Sequence, residues 1–234
     1  MINLCYDTWH AMNPRGPNVQ QDQKTFNSLP LLDRTKPHKF IIPVKRINEG
    51  QDVLRFLASR AYVDIGKFVM QLNFSMCPRK IEVDGVQQIK TWELGNPDII
   101  FPETVQRIQN MLERIDGITD QIPPDTGPRR FGNISFRKWY SLLESRIPDL
   151  LKEYLPANVF DEGSIEKIAA RDELIAYLLG GFGSAQRLDY GTGHELSFLA
   201  FLGCIWKLGG FHNVIADQSS SDIGRSIVLG IIEP

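Results

Sequence analysis

The residues from Arg187 to Glu195 (RLDYGTGHE) combine charged, aromatic and imidazole side chains, and two glycines flank Thr192. An apolar run from Leu196 to Leu208 follows directly, which predicts a loop that leads into a buried helix. Glycine permits positive φ and leaves room for a ligand beside the main chain. Because N–H groups at a helix start attract anions, the loop is a candidate ligand site.

Each polar side chain of this loop has two interpretations that the residue types leave open. Asp189 and His194 would either cap and hydrogen-bond the helix start or point into a cleft. Arg187 would either bind a phosphate or carboxylate or form a surface ion pair.

A second dense cluster runs from Arg129 to Asn133, and the aromatic residues Phe136, Trp139 and Tyr140 follow it. The spacing of these aromatics favours a place in the core. Arg130 and Asn133 lie at a predicted junction between a loop and a helix. They would therefore serve as structural caps or as polar groups of a cleft.

Several familiar site motifs fail in this sequence. The glycines at 181 and 183 lack the last glycine of a dinucleotide fingerprint, and a helix rather than a strand precedes them. His194-Glu195 begins like a zinc-protease motif, but Phe198 stands where the second histidine is required. A Walker loop, a metal-binding cysteine spacing and local support for a catalytic triad are also missing.

The composition predicts an ordinary globular protein. The 234 residues are 42% hydrophobic and carry a formal net charge of −2, which argues weakly against nucleic-acid or membrane-surface binding. The three cysteines, Cys5, Cys77 and Cys204, are far apart, which favours a reducing compartment, with Cys204 a buried thiol. No targeting segment is recognisable and the longest apolar run is too short to span a bilayer, so a soluble, intracellular protein is expected.

The periodicity predicts a mostly α-helical chain. Residues 1–38 are polar and without period, and are expected to form a disordered leader. A helix is predicted from an N-cap at Asp52 to Leu72. Residues 75–97 differ from the rest, since Asp84-Gly85 suits a hairpin turn but a solvated loop is equally consistent.

Further helices are predicted over the remainder of the chain. They span Pro102 to Thr119, Asn133 to Arg146, a short segment after Pro148, Ile165 to Leu179 with Ser164 as N-cap, Gly193 to Gly209, and a last one from Asp222. The glycines at 180, 181 and 183 are expected to end the fourth. The proline and glycine residues between Ile122 and Gly132 predict a loop.

Two segments closely resemble the phosphotyrosyl phosphatase activator family, also called serine/threonine-protein phosphatase 2A activators. They are residues 130–140 (RFGNISFRKWY) and 187–202 (RLDYGTGHELSFLAFL). Shorter matches extend the resemblance over roughly 40–74 and 100–232. The leader has no match, and residues 75–97 look like an insertion or loop. The resemblance thus marks 39–234 as a partial activator domain.

The resemblance implies an all-α, multi-helix fold with a deep cleft between subdomains, C-terminally truncated relative to the family. It implies activation of protein phosphatase 2A through its catalytic subunit, dependent on ATP and Mg²⁺, and peptidyl-prolyl cis-trans isomerase activity on a proline-containing peptide. A cytoplasmic and nuclear protein, with a possible peptide-induced homodimer, would fit. The alternatives are a non-enzymatic assembly factor for the phosphatase and an inactive truncated isoform.

Site residues follow from the same resemblance. Arg187, Thr192 and Gly193 match ATP-contacting positions, while Asp189, Tyr190 and His194 are assigned to the catalytic cleft. The predicted cleft and partner-binding residues are Arg130, Phe131, Gly132, Asn133, Gly191 and Glu195. The family's metal ligands belong to a later motif that this sequence lacks, so no metal ligand is expected in the chain.

Overall fold

The computed structural model describes residues 28–36, 38–96, 99–127, 132–160, 168–212 and 219–233. Its helices are α1 (Gly50–Leu57), α2 (Arg60–Met76), α3 (Glu103–Asp116), α4 (Ile118–Gln121), α5 (Ser135–Tyr154), α6 (Ala170–Gly181), α7 (Thr192–Lys207) and α8 (Ser220–Ile227). A 3-10 turn at Ala157–Val159 and a π-helical segment at Val228–Ile232 complete the helical part. The mostly α-helical prediction is confirmed. The deep cleft between subdomains stays a prediction.

Helix α7 lies at the centre of the core because it is apolar on most of its surface. Its residues Phe201, Ile205 and Trp206 are buried, and it packs against α6 and α2. A second packed layer joins α3 and α5, where Ile108 and Leu151 are fully buried. This arrangement fixes both ends of the loop that precedes α7.

The predicted leader extends too far along the chain. Leu29 is only 3% exposed, its N–H donates to Gln71 Oε1 at 2.8 Å, and its carbonyl accepts from Trp206 Nε1 at 2.8 Å. The Leu32 N–H also donates to the Lys207 carbonyl at 2.7 Å. Residues 28–36 are therefore held on α2 and α7, because burying an apolar leucine stabilises the segment more than solvation of its polar neighbours does. Residues 1–27 lie outside the described part.

The helix predicted from Asp52 to Leu72 is two helices, so that prediction is wrong in its start and its continuity. Asp52 lies inside α1, where its carboxylate accepts from the Asn48 and Glu49 N–H groups at 3.0 and 3.1 Å. The break falls at Ala58-Ser59, and Ser59 Oγ caps α2 by accepting from Tyr62 N–H at 3.2 Å.

Two further helix boundaries differ from the prediction. A single helix, α5, runs through Pro148 instead of stopping at Arg146, because Leu143, Ile147 and Leu151 bury one continuous apolar face on both sides of the proline. The energy of that burial outweighs the one hydrogen bond that proline cannot donate. Helix α6 begins at Ala170, not at 165, and Ser164 lies outside the described residues.

Residues 79–90 form an antiparallel hairpin, which confirms one of the two interpretations of this region. Strands β1 (Arg79–Val83) and β2 (Val86–Lys90) pair in register from Arg79 opposite Lys90 to Val83 opposite Val86. Asp84 and Gly85 have φ of 53° and 76°, as a tight two-residue turn requires. Within the described residues, no helix has the length and apolarity needed to cross a membrane.

Candidate functional site

The loop between α6 and α7 is closed on itself by backbone hydrogen bonds. The Ser184 N–H donates to the Asp189 carbonyl at 3.1 Å, and the Leu188 N–H donates to the Ser184 carbonyl at 2.7 Å. The Ser184 hydroxyl accepts from the Arg187 N–H at 3.1 Å. Gly183, with φ of +113°, ends α6 as predicted. The polar side chains that follow are therefore carried by an ordered turn.

This turn packs on the start of α5, so the structure brings the two sequence clusters together. Arg137 on α5 donates to the carbonyls of Ala185 and Gln186 at 3.1 and 3.3 Å. Gly132 lies so close to Leu188 that an added Cβ would come within 2.6 Å of the Leu188 carbonyl oxygen. Residues separated by about fifty positions thus form one continuous surface.

In the structure, Arg187 and His194 each bond to a partner within the turn or at the end of α6. Arg187 Nε lies 2.9 Å from Asp189 Oδ2, which is a surface ion pair. His194 Nδ1 lies 2.6 Å from the Gly180 carbonyl. A carbonyl can only accept, so Nδ1 carries the proton, and Nε2 faces Asp189 Oδ1 at 4.0 Å. The imidazole thereby ties the start of α7 to the end of α6.

Three side chains of the turn are well exposed: Arg187 is 65% exposed, Tyr190 61% and Asp189 49%. The Tyr190 ring stacks on His194 with centroids 5.6 Å apart. The structure therefore places Asp189, Tyr190 and His194 together, and their assignment to a catalytic cleft stays a prediction.

The glycines flanking Thr192 do not use positive φ. Gly191 is extended, with φ of −171° and ψ of −179°, and Gly193 lies in α7, so that part of the interpretation is wrong. The other part fits the structure, since a Cβ at either glycine would meet no atom within 4 Å. The first-turn N–H groups of Thr192 and Gly193 have no acceptor among the described residues.

The remaining cleft residues divide into three groups. Arg130 and Phe131 lie outside the described residues, and Glu195 is exposed in the first turn of α7. Asn133 is a structural cap, because its side-chain oxygen accepts from the N–H groups of Asp125 and Ser135 at 3.0 Å and its amide donates to the Asp125 carbonyl. Of the two interpretations for Asn133, the capping one is observed.

An aromatic groove of about 310 Å³ adjoins this turn, and the sequence reasoning missed it. Trp139 stacks on Phe136 at 5.5 Å and meets Phe182 edge-on at 5.5 Å. The groove is lined by Thr119, Ile122, Pro124, Asn133, Ser135, Phe136, Trp139 and Phe182. The signal was the aromatic spacing after Asn133, which periodicity assigned to the core; these rings are only half-buried.

Within the described ranges, no group of three or more His, Cys, Asp or Glu side chains is arranged to hold a metal ion. At the edge of the aromatic groove, burial raises the pKa of Tyr140, and the nearby Glu144 adds to that rise. The Tyr140 hydroxyl is consequently a proton donor or acceptor in hydrogen bonds rather than a base at neutral pH.

Comparisons with known proteins agree with the resemblance carried by the two clusters. The model of the family described as "Phosphotyrosyl phosphate activator (PTPA) protein" matches residues 43–233. A relative from Emericella nidulans named serine/threonine-protein phosphatase 2A activator 1 is 50% identical over 215 residues, covering 91% of this chain and 48% of the relative. A relative of the same name from Saccharomyces cerevisiae is 34% identical over 182 residues, covering 77% and 42%.

A solved structure shares the fold. The crystal structure titled as that of the PP2A phosphatase activator Ypa1 PTPA1 has a TM-score of 0.60 and 32% identity, and covers 87% of this chain and 61% of that one. The chain spans about half the length of the curated relatives it matches. From the family model, these relatives and the shared fold, the chain belongs to the phosphotyrosyl phosphate activator family.

Proposed function

We propose that this chain activates protein phosphatase 2A by binding its catalytic subunit through the surface formed by the 184–195 turn and the start of α5. The relatives carry the name of phosphatase 2A activators. The observation that carries the proposal is the contact between the two clusters. Arg137 donates a hydrogen bond to the turn, and Gly132 packs directly against it. Such support keeps exposed groups in one arrangement, which lowers the entropy cost of binding a partner.

Binding, rather than acid–base chemistry, is the mode that this geometry favours. His194 Nδ1 is occupied by the Gly180 carbonyl, and Asp189 is paired with Arg187. Both polar groups are therefore already bonded to partners within the chain. This observation supports the second candidate function, a non-enzymatic assembly factor that remodels the phosphatase.

Prolyl isomerase activity is compatible with the site if a partner covers it. The barrier to amide rotation is about 18–20 kcal/mol and uncatalysed exchange takes about 10–100 s. Isomerisation needs no covalent step, only removal of water from the prolyl amide and a hold on its twisted form. The stacked rings of Tyr190 and His194 and the adjoining groove with Trp139 offer apolar faces for a proline ring.

A nucleotide phosphate fits the start of α7 better than a metal ion does. The N–H groups of Thr192 and Gly193 and the open space beside Gly191 suit an anion, and Arg187 is within the same turn. Mg²⁺ neutralises phosphate charge when it binds with ATP, but the described residues offer no cluster to hold it. We therefore extend the proposal to ATP contact by Arg187, Thr192 and Gly193. A thermal melt with ATP, with and without Mg²⁺, tests it, since bound nucleotide raises Tm and an unchanged Tm contradicts it.

Reactivation of inactive phosphatase 2A catalytic subunit by purified chain tests the main proposal. Asp189→Asn should lower the reactivation rate at least about tenfold, the usual effect of removing one strong polar contact, while leaving the thermal melt unchanged. Asp84→Asn is the matched control, because it makes the same change in a hairpin turn that accepts asparagine. Equal rates for wild type, Asp189→Asn and Asp84→Asn would exclude this surface.

A proline-peptide isomerisation assay on the same variants separates the two candidate functions. If reactivation and isomerisation fall together in Tyr190→Ala, the enzymatic function is supported. If reactivation falls while the wild-type chain shows no isomerisation above the uncatalysed rate, the assembly-factor function is supported.

A further inference from the structure

A buried arginine on α8 lacks partners for two of its three guanidinium nitrogens. Arg225 is 6% exposed, and its Nη1 donates to Asp222 Oδ1 at 2.8 Å. Its Nε and Nη2 are shielded from solvent and have no hydrogen-bond acceptor among the described residues. Buried donors are almost always paired, and a charged donor without an acceptor is especially costly. Arg225 is thus an incomplete site rather than a finished ion pair.

The two unpaired nitrogens are the pair that binds a carboxylate. In a planar guanidinium, the Nε–H and one N–H of Nη2 point side by side from the same edge. That edge matches the two oxygens of a carboxylate in a bidentate arrangement. Asp222 pairs with Nη1, and this edge is left without an acceptor within the described ranges.

Trp92, in the segment that follows β2, covers the flat face of the guanidinium. Arg225 Cζ lies 3.3 Å from the centroid of the Trp92 ring, and Lys90 Nζ lies 4.9 Å from the same centroid. Trp92 Nε1 is a third buried donor for which the described part of the chain provides no acceptor. A planar carboxylate can lie in the guanidinium plane beneath the indole. A tetrahedral phosphate in the same place would project oxygens above and below that plane, where the indole lies.

The charged side chains around the Trp92 indole have an excess of positive charge. Arg79 and Lys90 are directly opposite each other in the hairpin, a like-charge pair that destabilises the strands. No described carboxylate pairs with either of them. Burial lowers the pKa of Arg225, hydrogen bonding to Asp222 opposes that, and the charge of Arg79 lowers it again. Of the ion pairs formed by described residues, the one between Asp222 and Arg225 involves this group of three cations, so an additional anion would be stabilised.

We propose that Arg225, Trp92, Arg79 and Lys90 form a binding site for a carboxylate side chain of an acidic segment of a partner protein. The Nε and Nη2 edge of Arg225 holds the two carboxylate oxygens. The indole of Trp92 moves to admit the group and then covers it, while Arg79 and Lys90 attract the surrounding acidic residues. The site involves the hairpin and α8 and does not rest on the proposed function of the 184–195 turn.

Nuclear magnetic resonance of the full chain, labelled with ¹⁵N, tests this site. The probes are an acetylated and amidated hexaglutamate peptide, the matching hexaglutamine peptide and inorganic phosphate. Hexaglutamate should shift the Nε–Hε resonance of Arg225 and the indole N–H resonance of Trp92 in a saturable manner. Hexaglutamine and phosphate should not.

Variants separate the side-on pairing from general attraction. Arg225→Lys keeps the charge but loses the fork, and should weaken hexaglutamate binding by about 10- to 100-fold, the range for hydrogen bonds to a charged group. Arg79→Gln and Lys90→Gln, in the hairpin, should each weaken it severalfold and remain informative if Arg225→Lys does not fold. Lys80→Gln, whose side chain points to the other face of β1, is the matched control and should bind as wild type does.

Three results would overturn the proposal. The first is the lack of a saturable shift at Arg225 with hexaglutamate. The second is equal loss of binding in Lys80→Gln and Arg79→Gln, which would indicate a nonspecific attraction. The third is tighter binding of phosphate than of hexaglutamate at the same resonances, which would replace the carboxylate by a phosphoryl group.

Discussion

Gly132→Ala should destabilise the chain because Gly132 is where the two clusters touch. Its φ is +87°, in the left-handed region that residues with a side chain disfavour. A Cβ there would lie 2.6 Å from the carbonyl oxygen of Leu188 and 2.7 Å from its Cβ. Both of these atoms belong to a turn held by backbone hydrogen bonds, so neither can swing away as the end of a flexible side chain would.

The expected magnitude comes from two terms. The left-handed backbone costs a residue with a Cβ about 1–2 kcal/mol. Overlap in a packed contact costs about 1–3 kcal/mol more. The free energy of unfolding should therefore fall by about 2–5 kcal/mol, which for a chain of this size lowers Tm by about 4–20 °C.

Urea denaturation followed by circular dichroism measures this change. Gly66→Ala is the matched control, because Gly66 is exposed in α2 and an added Cβ meets no atom within 4 Å. There the same substitution should stabilise the chain by about 0.5–1 kcal/mol, since alanine favours helix interiors.

An unfolding free energy for Gly132→Ala within about 0.5 kcal/mol of wild type, with an unchanged m-value, would refute the reasoning. It would mean that the 184–195 turn is not held against α5 as the structure shows. Phosphatase reactivation by the variant should fall along with stability, because the exposed groups of the turn would shift together.

Three further predictions concern other parts of the chain. Burial alone would raise the pKa of Asp222, but hydrogen bonds from Ser219 and Arg225 hold the pKa of this carboxyl below its ordinary value. The unfolded chain therefore binds this proton more readily than the folded chain does. The stability that Asp222 contributes is present above pH 3.8 and is lost as the pH falls through the lowered pKa. Urea titrations at several pH values should show a weaker acid dependence of stability in Asp222→Asn, and an identical dependence contradicts this. Burial raises the pKa of the Cys204 thiol to about 12, so iodoacetamide at pH 8 should label it only after unfolding. Mass spectrometry measures the labelling, and rapid labelling of Cys204 in the folded chain would count against this prediction. Pro148→Ala restores one helix hydrogen bond inside α5 and should raise the unfolding free energy by about 1–3 kcal/mol in urea, whereas a loss of stability would show that the proline ring itself packs usefully.

Helix positions were predictable where burial repeats along the sequence. The apolar stripe of α3, with Val105, Ile108 and Ile115, is buried as its spacing predicts. Gly183 follows the end of α6 as expected, whereas Gly180 and Gly181 lie in its last turn. Predicted helix boundaries were wrong where a local sequence signal competed with packing of the core. Pro148 suggested a helix start, but the apolar face on both sides of it continues, and periodicity cannot weigh one against the other.

The candidate site was predictable in its residue types but not in its bonding. Asp189, Tyr190 and His194 adjoin one another in sequence, so their proximity followed from the chain itself. The acceptor of His194 Nδ1 is a carbonyl fourteen residues earlier, at the end of another helix. Residue types do not specify such a partner, because it depends on the angle at which α6 and α7 pack.

The sequence by itself determined the family, the mostly helical class and the two clusters, since these are carried by local pattern and by matching residues. Tertiary structure alone decided that Gly132 supports Leu188, that Asn133 is a cap and that Trp139 and Phe182 share a groove. It also decided that Arg225 lies beneath Trp92 with two donors unpaired. The physical reason is that hydrogen-bond satisfaction and close contact depend on distances between segments remote in sequence, and packing of the core sets those distances.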